Sequence, residues 1–296
     1  MEEDLMQQVD FYNEIINFAR HLQVINTHCH HHKDEVFVGF DLKRLISESY
    51  VAWVNPIPAD DDVPPEAWFQ AVRCNNTFYW LERGIQHLYQ TNLALNRANF
   101  RPLSDMIADA HKDPDFHLRS MKNFGYRRVL QECYWDAGSD NGHPELMSPA
   151  FRVNMFFYGY STFAACHNGF NPIHRYQMGD VGDIDEYCEK VFDVLKSAKD
   201  KGIVALKSAI PYDRGLNLFD CDKLAANSAF CQCMQGNDTP DRIEAFQGYM
   251  LARLCEMAVR LDLPFQMHTG LGKLVCSNAM FAVTGDNRFA IAIRTG

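Results

Sequence analysis

Two histidines, His28 and His30, stand at the end of the run Val24-Ile25-Asn26-Thr27-His28-Cys29-His30. In an extended strand alternate side chains share a face, so Val24, Asn26, His28 and His30 fall on one side and Ile25, Thr27 and Cys29 on the other. Two imidazoles so spaced at a strand end can point at one ion, and imidazole nitrogen suits zinc, iron and nickel. The competing reading is a histidine-rich surface turn, because His31 and His32 follow at once. Two further candidates close apolar runs. Lys207 ends Ile203-Val204-Ala205-Leu206-Lys207. His268 ends Leu263-Pro264-Phe265-Gln266-Met267-His268, ahead of Thr269-Gly270-Leu271-Gly272. If these runs are barrel strands, their carboxyl ends are where an active site is built. A lysine there can equally pair with a carboxylate or extend its amine to solvent.

The elements that must position these groups follow from periodicity. Phe11 to Leu22 has helical spacing and leads into the first strand. Leu42 to Trp53 reads as a helix. The proline-rich stretch 55–65, with Asp60, Asp61 and Asp62, reads as a solvated loop before a helix starting near Pro65. Ala67 to Leu95 reads as two helices, part of a helical insertion over about 40–120, and Arg73, Trp80 and Arg83 there are candidate substrate contacts or plain packing. Arg128 to Cys133 is predicted as strand two, Val153 to Tyr158 as strand three, 203–207 as strand four and 263–268 as strand five. Helices over 184–198, capped by Asp183, and 242–261 lie between the later strands. Alternation of strands with helices predicts parallel βαβ units. Neither GxGxxG after a strand nor GxxxxGK[ST] occurs, so no nucleotide-phosphate cradle is indicated.

Composition narrows the partners. The chain has 296 residues, is 47% hydrophobic and carries a net charge of -10. It shows no basic stripe, so nucleic acid and anionic membrane are poor partners and a small-molecule substrate is expected. The acidic start Met1 to Asp10 lacks the pattern of a secretory signal, and no apolar run is long enough to span a membrane. The 10 cysteines are scattered; the expectation is a cytoplasmic protein with reduced thiols, and Cys231-Gln232-Cys233 reads as ordinary helix or loop.

His28-Cys29-His30, Gly202-Ile203-Val204-Ala205-Leu206-Lys207-Ser208 and Pro264-Phe265-Gln266-Met267-His268-Thr269-Gly270-Leu271-Gly272 together resemble the amidohydrolase superfamily, closest to its amidohydrolase-2 branch. Uronate isomerases share the early HxH followed by a helical insertion. The resemblance implies an α/β fold, a (β/α)8 TIM-barrel-type single domain over 1–296, with one or two divalent ions, zinc first and manganese or iron as alternatives. It implies His28, His30 and His268 as metal ligands. Lys207 matches a position that bridges metals when carbamylated in some branches and can contact substrate in others. Tyr212 and Arg214, after strand four, are candidate contacts to a substrate anion. The family also expects an aspartate after strand eight as ligand and base. Only 28 residues follow His268, against about 30 per helix-plus-strand unit, and Asp286, the one acidic residue among them, reads as a turn. The expectation is therefore a truncated or altered barrel with about five or six strands, whose open strand edges favour self-association. Three functions stay open: metal-dependent hydrolysis of an amide, ester or lactone, uronate-isomerase-like aldose–ketose interconversion, and an inactive fragment that retains metal binding or serves as a partner for another chain.

Overall fold

The computed structural model describes residues 2–269, with side chains from residue 11 onward. Gly270-Leu271-Gly272 of the third motif, Asp286 and any sixth strand lie outside the described residues. The chain divides into two compact units: Met1–Gln131 with Ser139–Ser148, and Glu132–Gly138 with Pro149–Gly296. Its elements begin with α1 (Glu2–Arg20) and β1 (Val24–Cys29). The insertion follows as α2 (Asp34–Phe37), α3 (Leu42–Ser47), α4 (Tyr50–Val54), α5 (Glu66–Val72), α6 (Asn76–Leu88), α7 (Phe100–Ala110) and α8 (Phe116–Asn123). Then come β2 (Tyr126–Glu132), β3 (Met147–Arg152), α9 (Pro172–Arg175), α10 (Ile184–Asp200), β4 (Ala205–Ser208), α11 (Lys223–Met234), α12 (Pro240–Arg260) and β5 (Phe265–Met267). The strands form one sheet in the order β1-β2-β3-β4-β5. This is the expected α/β, TIM-barrel-type class, with five parallel strands among the described residues and a helical insertion after the first.

In the first unit the insertion has its own core. Leu42, Ile46, Val51, Phe69, Val72, Phe100 and Leu103 pack together there, and the Trp68 indole N–H donates to the Asn55 carbonyl at 3.1 Å. The expected helix over 42–53 is two helices. Ser49 ends one by donating its hydroxyl to the Ile46 carbonyl and caps the next by accepting from Val51 N–H, the local competition that serine offers a helix. The Asp60–Asp62 loop is partnered by cations: Lys43 donates to the Ala59 and Asp61 carbonyls and Arg101 lies 3.8 Å from Asp62. On α1, Phe11, Ile15 and Phe18 are 63–68% exposed, so its apolar stripe is uncovered among the described residues.

The second unit buries Phe151, Phe156, Phe157, Tyr187, Leu206, Phe230 and Phe246. Strand three differs from expectation. Met147–Arg152 is the strand and Asn154–Tyr158 is a buried 3-10 turn. Proline is disfavoured within a strand, which makes the segment around Pro149 a poor strand candidate, and the following apolar run carries no period that separates a buried strand from a buried turn. Pro149 is tolerated because its carbonyl, not a missing N–H, takes part in pairing: it accepts from Val204 N–H at 2.9 Å. Asp183 caps α10 as expected, accepting from Glu186 N–H at 2.9 Å. Gly202 has φ +107, which only glycine adopts without strain, and turns α10 into β4.

Gly248 lies inside α12, where alanine ordinarily gains about 1 kcal/mol. Here a Cβ would sit 1.9 Å from the Phe219 carbonyl oxygen, a backbone atom that cannot swing aside. Gly248→Ala is therefore expected to destabilise by about 2 kcal/mol, read as a lowered midpoint in thermal melting. An unchanged or raised midpoint would show that the 219 loop yields freely.

Candidate functional site

In the first unit β1 ends on the two histidines. Its register against β2 slips between Val24 and Ile25 and again between Asn26 and Cys29, so the ladder is irregular where the motif begins. Asn26 compensates by accepting from His28 N–H at 3.1 Å. The His28 and His30 Nε2 atoms stand 3.0 Å apart with ring planes at 77°. Nitrogen donors at that separation suit two ligands of one ion bound at about 2.0–2.1 Å, and the donor chemistry fits zinc, manganese or iron. Among the described residues no group of three His, Cys, Asp or Glu side chains is arranged to hold an ion. The pair thus fits part of a ligand set.

His31 departs from the surface-turn reading. Its N–H donates to Gln131 Oε1 at 2.9 Å, and its carbonyl accepts from the Gln131 and Asn141 side-chain amides. The ring stacks on Phe37 at 4.6 Å, and its Nε2 lies 2.7 Å from His117 Nδ1. His117 Nε2 and His143 Nε2 in turn approach Asp34 Oδ1 at 3.4 and 2.7 Å. Burial, followed by the neighbouring His117, pushes the His31 pKa down to about 3, and burial also lowers His117.

In the second unit the carboxyl ends of β3, β4 and β5 gather polar groups. Arg152 and Lys207 are register partners, so two cations stand side by side, 6% and 4% exposed. Like charges facing across strands repel. Glu132, 2% exposed, offsets them: Arg152 Nη2 donates to its Oε2 at 2.5 Å. Burial lowers the Lys207 pKa, an effect that Glu132 opposes and Arg152 reinforces.

His268 continues the β5 pairing, its N–H donating to the Ser208 carbonyl at 2.8 Å. Its ring lies 4.6 Å from that of Tyr212, which lies 5.3 Å from His167. Arg214 turns the other way, donating to Gln247 Oε1 at 2.7 Å and standing 3.7 Å from Glu244, both on α12. Of the expected residues, then, Lys207, Tyr212 and His268 share the strand ends of this unit, while Arg214 ties its loop to a helix.

Four groups were not anticipated from the sequence: Glu132, Arg152, His167 and Asp213. His167 N–H and Nδ1 lie 2.6 and 3.0 Å from Asp213 Oδ1, and Asn154 Nδ2 donates to Asp213 Oδ2 at 3.0 Å. Arg152 Nη1 reaches His167 Nε2 at 3.3 Å and Asn168 Oδ1 at 2.9 Å. Arg152 would have been legible from the sequence as a strand-end residue had strand three been placed on 147–152. His167 and Asp213 lie in loops with no spacing motif.

No protein-family model and no curated protein matches the chain. Solved structures do. Glucuronate isomerase from Caulobacter crescentus matches with a TM-score of 0.65 at 17% identity, over 85% of this chain and 58% of that one. Uronate isomerase from Thermotoga maritima matches with 0.64 at 13% identity, over 85% and 60%. A protein proposed to be a metal-dependent hydrolase, from Lactobacillus casei, matches with 0.51 at 19% identity, over 86% and 60%. The chain spans about 58–60% of the length of these neighbours, and at such identities the likeness is one of fold.

Proposed function

We propose that the chain carries much of a metal-dependent enzyme of the amidohydrolase superfamily, acting on a uronate by aldose–ketose interconversion. The observation that carries this reading is the fold shared with two uronate isomerases at TM-scores of 0.65 and 0.64. In support, the site chemistry suits a sugar acid. Arg152 and Lys207 present buried positive charge at adjacent strand ends, and guanidinium and ammonium groups are the usual partners of a carboxylate. His28 and His30 are the pair that would hold the ion, with zinc, manganese or iron as candidates, and His268 is the further ligand that the resemblance implies. Bound there, the ion supplies Lewis acidity toward a substrate oxygen. Lys207 and Tyr212 would contact the substrate.

Metal-dependent hydrolysis of an amide, ester or lactone is the second reading. It is favoured by the order of the three motifs and by the likeness to the Lactobacillus protein. In either case the substrate is a small molecule, the compartment the cytoplasm, and self-association a consequence to check by light scattering.

Metal content by plasma mass spectrometry tests the common part. Wild type purified without added metal is expected to hold near-stoichiometric zinc, manganese or iron, lost in both His28→Ala and His268→Ala. Glucuronate and galacturonate are then offered to the loaded protein. A product of unchanged mass supports isomerisation. Uptake of one water by an offered amide, ester or lactone, cleaving the first two and opening the last, with no turnover of the uronates, overturns it in favour of hydrolysis. Folded wild type that binds no metal overturns both and leaves the inactive fragment.

A further inference from the structure

We propose that His167, oriented by Asp213, is the proton-transfer residue for a uronate's carbon-bound hydrogen, a role that rests on the isomerase reading above.

The geometry comes from two loops that follow strand ends. His167 lies after β3 and Asp213 after β4, the end of such strands where reacting groups collect. The Asp213 side chain is 4% exposed and accepts three contacts, from His167 N–H at 2.6 Å, His167 Nδ1 at 3.0 Å and Asn154 Nδ2 at 3.0 Å. Asn154 is itself fixed, its Oδ1 accepting from Ala209 N–H at 2.6 Å, so the carboxylate is anchored to the end of β4. Tyr158, whose ionisation is opposed by burial and then by Asp213, stays a phenol beside it.

The tautomer follows from donor arithmetic. Arg152 can only donate, so the His167 Nε2 it approaches at 3.3 Å carries the lone pair and Nδ1 carries the hydrogen given to Asp213. A buried carboxylate that fixes one ring nitrogen and leaves the other as acceptor is the arrangement that prepares an imidazole for proton transfer. The His167 side chain is 25% exposed, so part of the ring is open to solvent. A substrate carboxylate that takes the Arg152 N–H turns it away from the ring and leaves the lone pair facing the sugar.

The step balances without a further reactant. Nε2 takes the proton of C2, the C2–H electron pair forms the C1–C2 double bond, and the carbonyl pair moves to O1. The imidazolium returns that proton to C1, and the hydroxyl proton of O2 passes to O1. Asp213 acts as a positioning residue that steadies the transient cation.

Two measurements on the metal-loaded protein test this. With glucuronate as substrate, His167→Gln is expected to lower kcat at least about 100-fold, with KM within about threefold and metal content unchanged. Asp213→Asn is expected to lower kcat to a lesser degree, and added imidazole to restore part of the activity of His167→Gly. Normal kcat in His167→Gln overturns the proposal while leaving the isomerase reading intact. The second readout needs no substrate: carbethoxylation of His167 by diethyl pyrocarbonate, followed by peptide mass mapping, is expected to slow in Asp213→Asn. An unchanged rate overturns the Asp213–His167 coupling. Wild type that turns over no uronate yet shows the slowed acylation removes the isomerase reading, and with it the assigned reaction, but not the coupled pair.

Discussion

Glu132→Ala is expected to lower the stability of the folded chain by about 3–5 kcal/mol, the range for removing one partner of a buried ion pair. Glu132 and Arg152 are 2% and 6% exposed and 2.5 Å apart. The loss comes less from the missing attraction than from what stays behind. Arg152 and Lys207 stand in register on β3 and β4, both buried, and Glu132 is the anion whose charge acts on both. Without it the Lys207 amine loses the influence that holds its pKa up, and two neighbouring cations are left to desolvation and mutual repulsion. The pair itself is not thereby a large net gain, since a buried ion pair replaced whole by apolar side chains is often neutral. The double variant Glu132→Met, Arg152→Met is therefore expected to recover most of the loss. Urea unfolding measures both, with a shifted midpoint at unchanged slope as the signature. A cost below about 1 kcal/mol for Glu132→Ala would mean that water reaches these strand ends.

That cluster also marks where the sequence stopped being readable. The β1, β2, β4 and β5 runs were legible as short apolar runs, with turn chemistry ahead of β2 and β4 at Gly125 and Gly202, whose φ are +76 and +107. The helix over 184–200 was legible from its period and from Asp183. Strand three was misplaced by one element's length, because the apolar run after Arg152 looks more like a strand than the Pro149-containing segment that is one. The slip hid Arg152, and with it the reason Glu132 is buried.

His167 and Asp213 were beyond reach for a different reason. Their meeting depends on two loops folding onto Asn154, and a loop's course leaves no periodic trace. Lys207 and His268 could be placed at strand ends because each closes an apolar run, whereas Tyr212 entered through the resemblance as a residue of the loop after strand four. Arg214, two residues past Tyr212, was grouped with it by adjacency, and the 3-10 turn at Ile210–Tyr212 is followed by a course that sends its side chain to α12 instead.

Acid is expected to weaken the fold as the pH falls from 6.5 towards about 3, an effect that begins above the range in which carboxylates titrate. His31 is held to about 3 by burial and by His117, against 6.5 for a free imidazole. For a base whose pKa is depressed on folding, the unfolded chain binds more protons throughout that interval. Stability is thus full above pH 6.5 and declines as the pH falls through the interval. One such group loses about 1.4 kcal/mol per pH unit, hence about 2 kcal/mol at pH 5. His117 and His111 are shifted the same way by burial, so they add to the slope, while Asp34 beside His117 and His143 works against it. The carboxylates Asp109, Asp113 and Glu186 are exposed and held below the ordinary carboxylate values by their hydrogen-bond partners, so the change between pH 6.5 and 5 falls mainly to the histidines. Urea melts of chelator-treated protein at pH 7, 6 and 5 measure the effect, and chelation keeps an ion at His28 and His30 out of the comparison. His31→Gln retains a polar side chain on Phe37 without a titrating ring and should flatten the profile by about one proton's worth of slope. Equal stability of wild type at pH 7 and 5, or a variant profile parallel to wild type, would show that His31 is hydrated in the folded state and that the segment after β1 opens to water.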